Sequence, residues 1–343
     1  MVPVRVWISG VVALVCAGLL AGCGGSTKKP ELVAGTLRLG AVRGPTDWDA
    51  EVLAGLRAEV RALNQSGGID QKIRLALAVG TARHVLASGA RVAVLPCDAR
   101  LQAESAAILR RRSLFVLEPC NTELWKRFPN VWPVSVSAAD EARALVGYAQ
   151  SQKYARLAVI GDGQMARAVR KAAREAKLKV APLRRADAVV VALAAPYAQS
   201  AVLRLRADGV PVPILATHGM DDRLALAADP AEFDGVVFTT FGLPEPGSEQ
   251  DEMDERYRAL TGHHPASSVA ALGYDAGNVL EYAILNASST RTALLAAAMR
   301  GLDVHGAVGR IVYPKAGGRN PSVNVAIVQV VRGREELVDR VGV

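Results

Sequence analysis

Aromatic residues are scarce in this chain, at 5% of 343 positions, and only four cysteines occur. The five histidines, His84, His218, His263, His264 and His305, show neither H-x-x-x-H nor H-E-x-x-H spacing. No cysteine pair adjoins them, so the sequence offers no metal site. There is no G-x-S-x-G elbow and no Walker-type loop, which removes two large groups of hydrolases. Long runs of one charge are missing too. Arg110-Arg111-Arg112 and Arg184-Arg185 are the longest basic runs, too short to track a nucleic-acid backbone, and they read as solvated surface. Glycine (31) and proline (17) are near ordinary usage, which excludes collagen-like, disordered and coiled-coil classes. What remains is a chain half hydrophobic, with 41 Lys+Arg against 33 Asp+Glu and a thinly spread net charge of +8. Its length exceeds what one core usually organises, so two lobes are expected.

The N-terminus sets the compartment. Arg5 is followed by a largely apolar stretch from Val6 to Ala21, closed by Leu20-Ala21-Gly22-Cys23. A charged start, a short apolar run and small residues before a cut describe a secretory signal rather than a span, which needs about 20 apolar residues. The small pair followed by Cys resembles the bacterial lipobox, which implies cleavage after residue 22 and acylation of Cys23. Gly24-Gly25-Ser26-Thr27-Lys28-Lys29-Pro30 then reads as a flexible tether. Several acyl chains would anchor it firmly at roughly 0.8 kcal/mol per buried methylene. With Cys16 in the signal and Cys23 acylated, Cys97 and Cys120 are left as a natural pair in an oxidising compartment. Two free buried thiols are the alternative.

Along the rest of the chain, strand-like apolar runs alternate with helical periodicity. Strands are expected at 36–42, 72–79, 91–95, 114–118, 156–160, 179–181, 188–192, 213–216, 235–241, 309–313 and 323–331, with an extended stretch at 131–136. Helices are expected after Asp47, which is placed as a cap, and at 82–87, 101–111, 138–151, 165–176, 200–207, 248–261, 267–286 and 290–299. Strands flanked by helices imply an α/β fold of two doubly wound parallel-sheet lobes with a ligand cleft between them. Ligands in such lobes bind beyond the carboxyl ends of the strands. One such loop, Gly161-Asp162-Gly163-Gln164-Met165-Ala166, matches G-x-G-x-x-A between a strand and a helix. The acidic residue that should follow about 20 positions later is replaced by Leu183-Arg184-Arg185. It reads as a tight, ligand-facing turn, and nucleotide-dependent catalysis at this turn is the weaker alternative.

Several motifs, in order, resemble one family. Leu39-Gly40-Ala41-Val42 followed by Asn64 and Gly67-Gly68, then Leu117-Glu118-Pro119-Cys120-Asn121-Thr122, Gly273-Tyr274-Asp275-Ala276 and Gly306-Ala307-Val308-Gly309 are similar to stretches of the type I periplasmic binding proteins. The branch is the one that serves branched-chain amino acid and amide ABC importers, and the resemblance runs from about residue 36 to 331. It implies a signal at 1–22, a lipidated tether at 23–35, and a first lobe from 36–137 and 265–322. A second lobe would cover 138–264, with 323–343 on its side or at the hinge. It also implies cleft contacts at Trp48, Asp98, Cys120 (backbone), Thr122, Gln164, Met165 and His218, and a Cys97–Cys120 bridge under the cleft. Asp98 also reads as a helix N-cap and Trp48 as a core-edge residue. An aspartate at 98 would repel a ligand carboxylate, and His218 cannot replace an anion facing an ammonium.

The resemblance implies a monomeric, non-enzymatic receptor without cofactor, which closes its lobes on a small polar or amino-acid-like ligand and delivers it to an ABC permease from the outer face of a membrane. The altered pocket residues, and a short stretch between Val79 and Arg91, motivate an alternative. In it, an envelope lipoprotein of the same fold binds a protein partner such as a cell-wall synthase.

Overall fold

Residues 31–342 are described in the computed structural model. The expected signal at 1–22, the acylated Cys23 and tether residues up to 30 lie outside the described residues. From Leu32 onward the chain forms one compact unit. It opens with β1 (Gly35–Val42), α1 (Asp47–Gln65), β2 (Ile73–Gly80), α2 (Ala82–Ala87), β3 (Val92–Val94), α3 (Ala99–Leu109), β4 (Phe115–Glu118) and β5 (Val131–Pro133). These strands form an all-parallel sheet in the order β2-β1-β3-β4-β5.

The pattern then repeats. Next come α4 (Ala138–Ser151), β6 (Arg156–Ile160), α5 (Gln164–Glu175), β7 (Lys179–Val180), β8 (Ala188–Val191), α6 (Tyr197–Ala207), β9 (Ile214–Ala216), α7 (Arg223–Ala228), α8 (Pro230–Phe233) and β10 (Val237–Thr240). Their strand order is β7-β6-β8-β9-β10, again parallel, so the second sheet is wound like the first. Every residue of β4, β8 and β10 is buried, as a parallel sheet covered on both faces requires.

The last third is α9 (Glu249–Thr261), α10 (Val269–Ala287), α11 (Thr292–Ala298), β11 (Asp303–Gly306), β12 (Gly309–Val312), β13 (Ser322–Val331) and β14 (Arg334–Gly342). α9 and α10 pack on α1. Arg256 of α9 donates to Glu59 at 2.9 Å, and the Tyr257 hydroxyl lies 3.2 Å from Glu51. The chain therefore returns to the first sheet before residue 249, ahead of the boundary at 264 implied by the resemblance. Periodicity marked this helix but could not say which sheet it covers. α1 and α10 approach so closely that a Cβ on Gly55 would lie 1.9 Å from the Ala270 carbonyl oxygen.

Three segments link the halves. Val134 and Val136 lie in the first core while Ala142 lies in a second-sheet core. Phe241 and the neighbouring Leu243 divide between cores in the same way. β13 changes side along its length: Val323 and Val325 join the first core, Val328 and Val330 the second. It pairs antiparallel with β12 at its start and with β10 further on.

Some local expectations change. Thr46, not Asp47, caps α1, with its hydroxyl accepting from Asp49 N at 3.1 Å and the Asp49 carboxylate accepting from Thr46 N at 3.0 Å. This reciprocal pair is a capping box. β11, β14 and the short α7 and α8 were not expected. β14 is largely exposed, so it carries no apolar alternation. It is placed by a tight turn in which Arg332 and Gly333 have φ of 52° and 77°. Among the described residues no helix is long and apolar enough to cross a membrane.

Candidate functional site

The carboxyl ends of the two sheets meet at a crevice whose walls include Ser135, Glu141, His218, Thr239, Phe241 and Val325. His218 follows β9, and its ring lies between Trp48 of α1 (centroids 5.3 Å apart) and Phe241 after β10 (5.0 Å). One contact thus spans both halves. The crevice encloses about 10 Å³ of free space, room for about one water.

His218 is held by Glu141, from the first turn of α4. The Glu141 carboxylate accepts from His218 N at 2.9 Å, faces Nδ1 at 2.6 Å and accepts from the Thr239 hydroxyl. Burial works against both charges, but each partner outweighs that cost for the other. The His218 pKa is pushed up by Glu141, and Glu141 is pushed down by His218. Between pH 4.5 and 6.5 the pair is therefore ionised and internally balanced, and the carboxylate is engaged by His218 rather than free for a ligand cation.

On the first-sheet side, Cys97 and Cys120 are joined, with Cα atoms 5.1 Å apart, so the free-thiol alternative falls away. The bridge ties the ends of β3 and β4. Asp49 Oδ1 accepts from the backbone of Cys97 at 2.5 Å and of Asp98 at 3.3 Å, fastening this loop to α1. Asp98 caps α3, accepting from Leu101 N at 2.7 Å. That engagement points the carboxylate at the start of α3.

Thr122 faces inward. Its N and Oγ lie 2.7 and 2.8 Å from Glu118 Oε1, and the hydroxyl is also 2.6 Å from Gln102 Oε1. Gln102 in turn donates to the Cys120 carbonyl at 2.9 Å. Glu118 is fully buried with no cation beside it among the described residues, and burial raises its pKa to about 7. In the described conformation the hydroxyl expected to hold a ligand carboxylate thus serves the loop's own carboxyl group.

Gln164 is exposed at the first turn of α5, whereas Met165 packs partly against the core beneath. The preceding Gly161 has φ 121°, and a Cβ there would sit 2.6 Å from the Ala192 carbonyl oxygen. Arg170 donates to the Gly161 carbonyl at 2.7 Å and Arg167 to that of Asp162 at 2.9 Å. The glycine pattern is thus a tight turn braced by arginines. Neither residue belongs to the aromatic contact around His218 given above.

Sequence reasoning missed a second interlobe cluster. Asp221 accepts from the Thr240 hydroxyl at 2.7 Å and from Ser268 N at 3.2 Å. Arg223 reaches Asp254 at 3.4 Å and Glu335 of β14 at 3.7 Å. Burial beside Asp221 pushes Glu335 up to about 8. Asn320 is a further link, 2.8 Å from both Asn121 and Asp140. Glu141 and Glu335 gave no signal because an acid in a first helical turn or on a polar strand reads as surface.

Residues 181–335 match a family model described as periplasmic binding protein. No curated protein matches the chain in sequence. Solved structures do resemble it. The branched-chain amino acid transporter substrate-binding protein LivJ from Streptococcus pneumoniae, in complex with isoleucine, is 17% identical. Its TM-score is 0.77, over 90% of this chain and all of that one. The leucine-binding protein LivK from Thermotoga maritima is 18% identical, at 0.75 over 89% of this chain and 98% of that one. An ABC-transporter solute-binding protein from R. palustris, in complex with benzoate, is 16% identical, at 0.76 over 90% and 98%. The chain therefore has the two-lobed α/β fold of these substrate-binding proteins, and its residues 181–335 match the periplasmic binding protein family model.

Proposed function

We propose that this protein is a lipid-anchored, extracytoplasmic solute-binding protein that closes two lobes on a small organic molecule and yields it unchanged to an ABC importer. The observation that carries the reading is the contact of Trp48 with His218 across the crevice. A molecule entering there meets groups from both halves at once, so binding energy favours the closed arrangement. The ligand class follows from the charges. Glu141 is neutralised by His218, Asp98 is used as a cap and Thr122 is turned to Glu118. A free α-amino acid would find neither a spare anion for its ammonium nor a free hydroxyl at 122 for its carboxylate. Trp48, His218 and Phe241 bring three rings together here instead, which favours a flat, largely apolar solute. The relatives' complexes with isoleucine and with benzoate bracket that choice.

The test is mass spectrometry of small molecules carried by the purified protein, followed by titration calorimetry with aromatic acids, amides and branched-chain amino acids. An aromatic or amide ligand whose affinity falls in Trp48→Ala is the expected result. Folded protein that stays silent across such a panel would overturn the transport reading. The tightness of the crevice favours one second reading, a receptor-shaped lipoprotein that binds a protein partner. A membrane pull-down that returns a cell-wall synthase and no permease would select it.

A further inference from the structure

The arginine run at 110–112 reads as plain surface in the sequence, yet the fold gathers it with basic residues from distant segments. In a parallel sheet all strands start from the same edge. Where the chain enters β3 and β4 lies a depression of about 350 Å³, bordered by Arg91, Arg112 and Arg291. Where it enters β5, beside α11, lies a second of about 550 Å³, bordered by Arg300, Lys315 and Arg319. The two adjoin through consecutive residues, Thr292 and Ala293. Neither lining contains an acidic side chain. None of the six cations has an ion-pair partner among the described residues, whereas Arg156, Arg256, Arg310 and Arg340 elsewhere are paired. All but Arg319 are exposed, and Arg319 is pushed below its ordinary pKa by burial and by Arg300. β1 begins from the same edge at Gly35.

We infer that the strand-start edge of the first lobe is a docking face for an anionic phospholipid surface, which holds the lobe basic side down and the crevice turned away from the membrane. Charge complementarity over two adjoining depressions, together with the start of β1 at this edge, favours an extended anionic surface such as a bilayer over a single small anion. Clustered cations act on such a surface within a Debye length. From the proposed function the inference takes only anchorage at a membrane. Vesicle binding needs no crevice ligand, so the two readings fail separately.

The experiment uses the chain from Cys23 onward carrying Cys23→Ser, which retains the compact unit starting at Leu32. It is floated with vesicles of phosphatidylglycerol and phosphatidylcholine, and with phosphatidylcholine alone. Binding to the anionic vesicles only, abolished at about 0.5 M salt, is expected. Arg111→Glu, Arg112→Glu, Arg300→Glu and Lys315→Glu combined should weaken it about tenfold or more. Lys171→Glu, Arg174→Glu, Arg184→Glu and Arg185→Glu, an equal charge change at exposed second-lobe positions, should weaken it far less. Circular dichroism confirms that both variants are folded. No binding, an equal loss in both variants, or full competition by millimolar inorganic phosphate would each overturn the assignment.

Discussion

At the scale of single residues, two buried carboxyl groups behave in opposite ways because only one has a cation. Glu141 is depressed below 4.5 and His218 raised above 6.5. The histidine's share of stability is complete below 6.5 and is lost as pH climbs through its raised value. The glutamate's share is present above 4.5 and is lost as pH falls through its lowered value. The pair therefore holds best between those limits. Glu141→Gln should lower the His218 pKa, read by NMR of the ring protons, and should cost about 3 kcal/mol in urea unfolding near pH 6. An unchanged His218 titration would show that the pair does not exist in solution. Glu118 has no such partner among the described residues and is raised from 4.5 to about 7. Its stabilisation is complete below 4.5 and is lost as pH rises towards 7, by roughly 3 kcal/mol in all. Glu118→Gln should flatten that slope, and an equal slope in the variant would place the cause elsewhere.

At the scale of elements, the helix pair α1–α10 depends on missing side chains. A Cβ on Gly273 would lie 1.8 Å from the Val52 carbonyl oxygen, backbone that cannot step aside without moving a helix. Gly273→Ala should cost more than about 3 kcal/mol or prevent folding. Gly147 on α4 has nothing within 4 Å of the same position, and there the alanine variant should gain up to about 1 kcal/mol of helix propensity. Thermal melts of the two variants shifting the same way would contradict the packing. The Cys97–Cys120 bridge, separated by 23 residues, adds roughly 3 kcal/mol on the chain-entropy model. The helices and most parallel strands were legible from periodicity because burial imposes it. β14 was not legible, since a hairpin turn and a neighbour's hydrogen bonds hold it rather than its own apolar face.

At the scale of the molecule, two like-wound sheets are joined by three segments, one of them the continuous strand β13, and the proposed lobe closure would bend the chain at those segments. On that proposal, opening would part Trp48 from His218 and rearrange the Asp221, Arg223 and Glu335 cluster. A bound solute should therefore raise the melting temperature and lower the radius of gyration seen by solution X-ray scattering. Trp48→Ala should weaken that solute about tenfold, with little loss of stability because the ring is only half-buried. A variant that binds as well as the parent would move the site away from this contact.

By itself the sequence determined the alternation of strands and helices, the doubling of the lobe and the pairing partners left to Cys97 and Cys120. Those features rest on local periodicity and on elimination, and both can be read along the chain. The partners of His218, the inward turn of Thr122, the side on which α9 lies and the basic edge were decided only by the tertiary structure. Each depends on which distant groups come within a few ångströms once the sheets are wound. A carboxylate reads the same in a sequence whether it ends up capping a helix, balancing a histidine or buried with no cation at all.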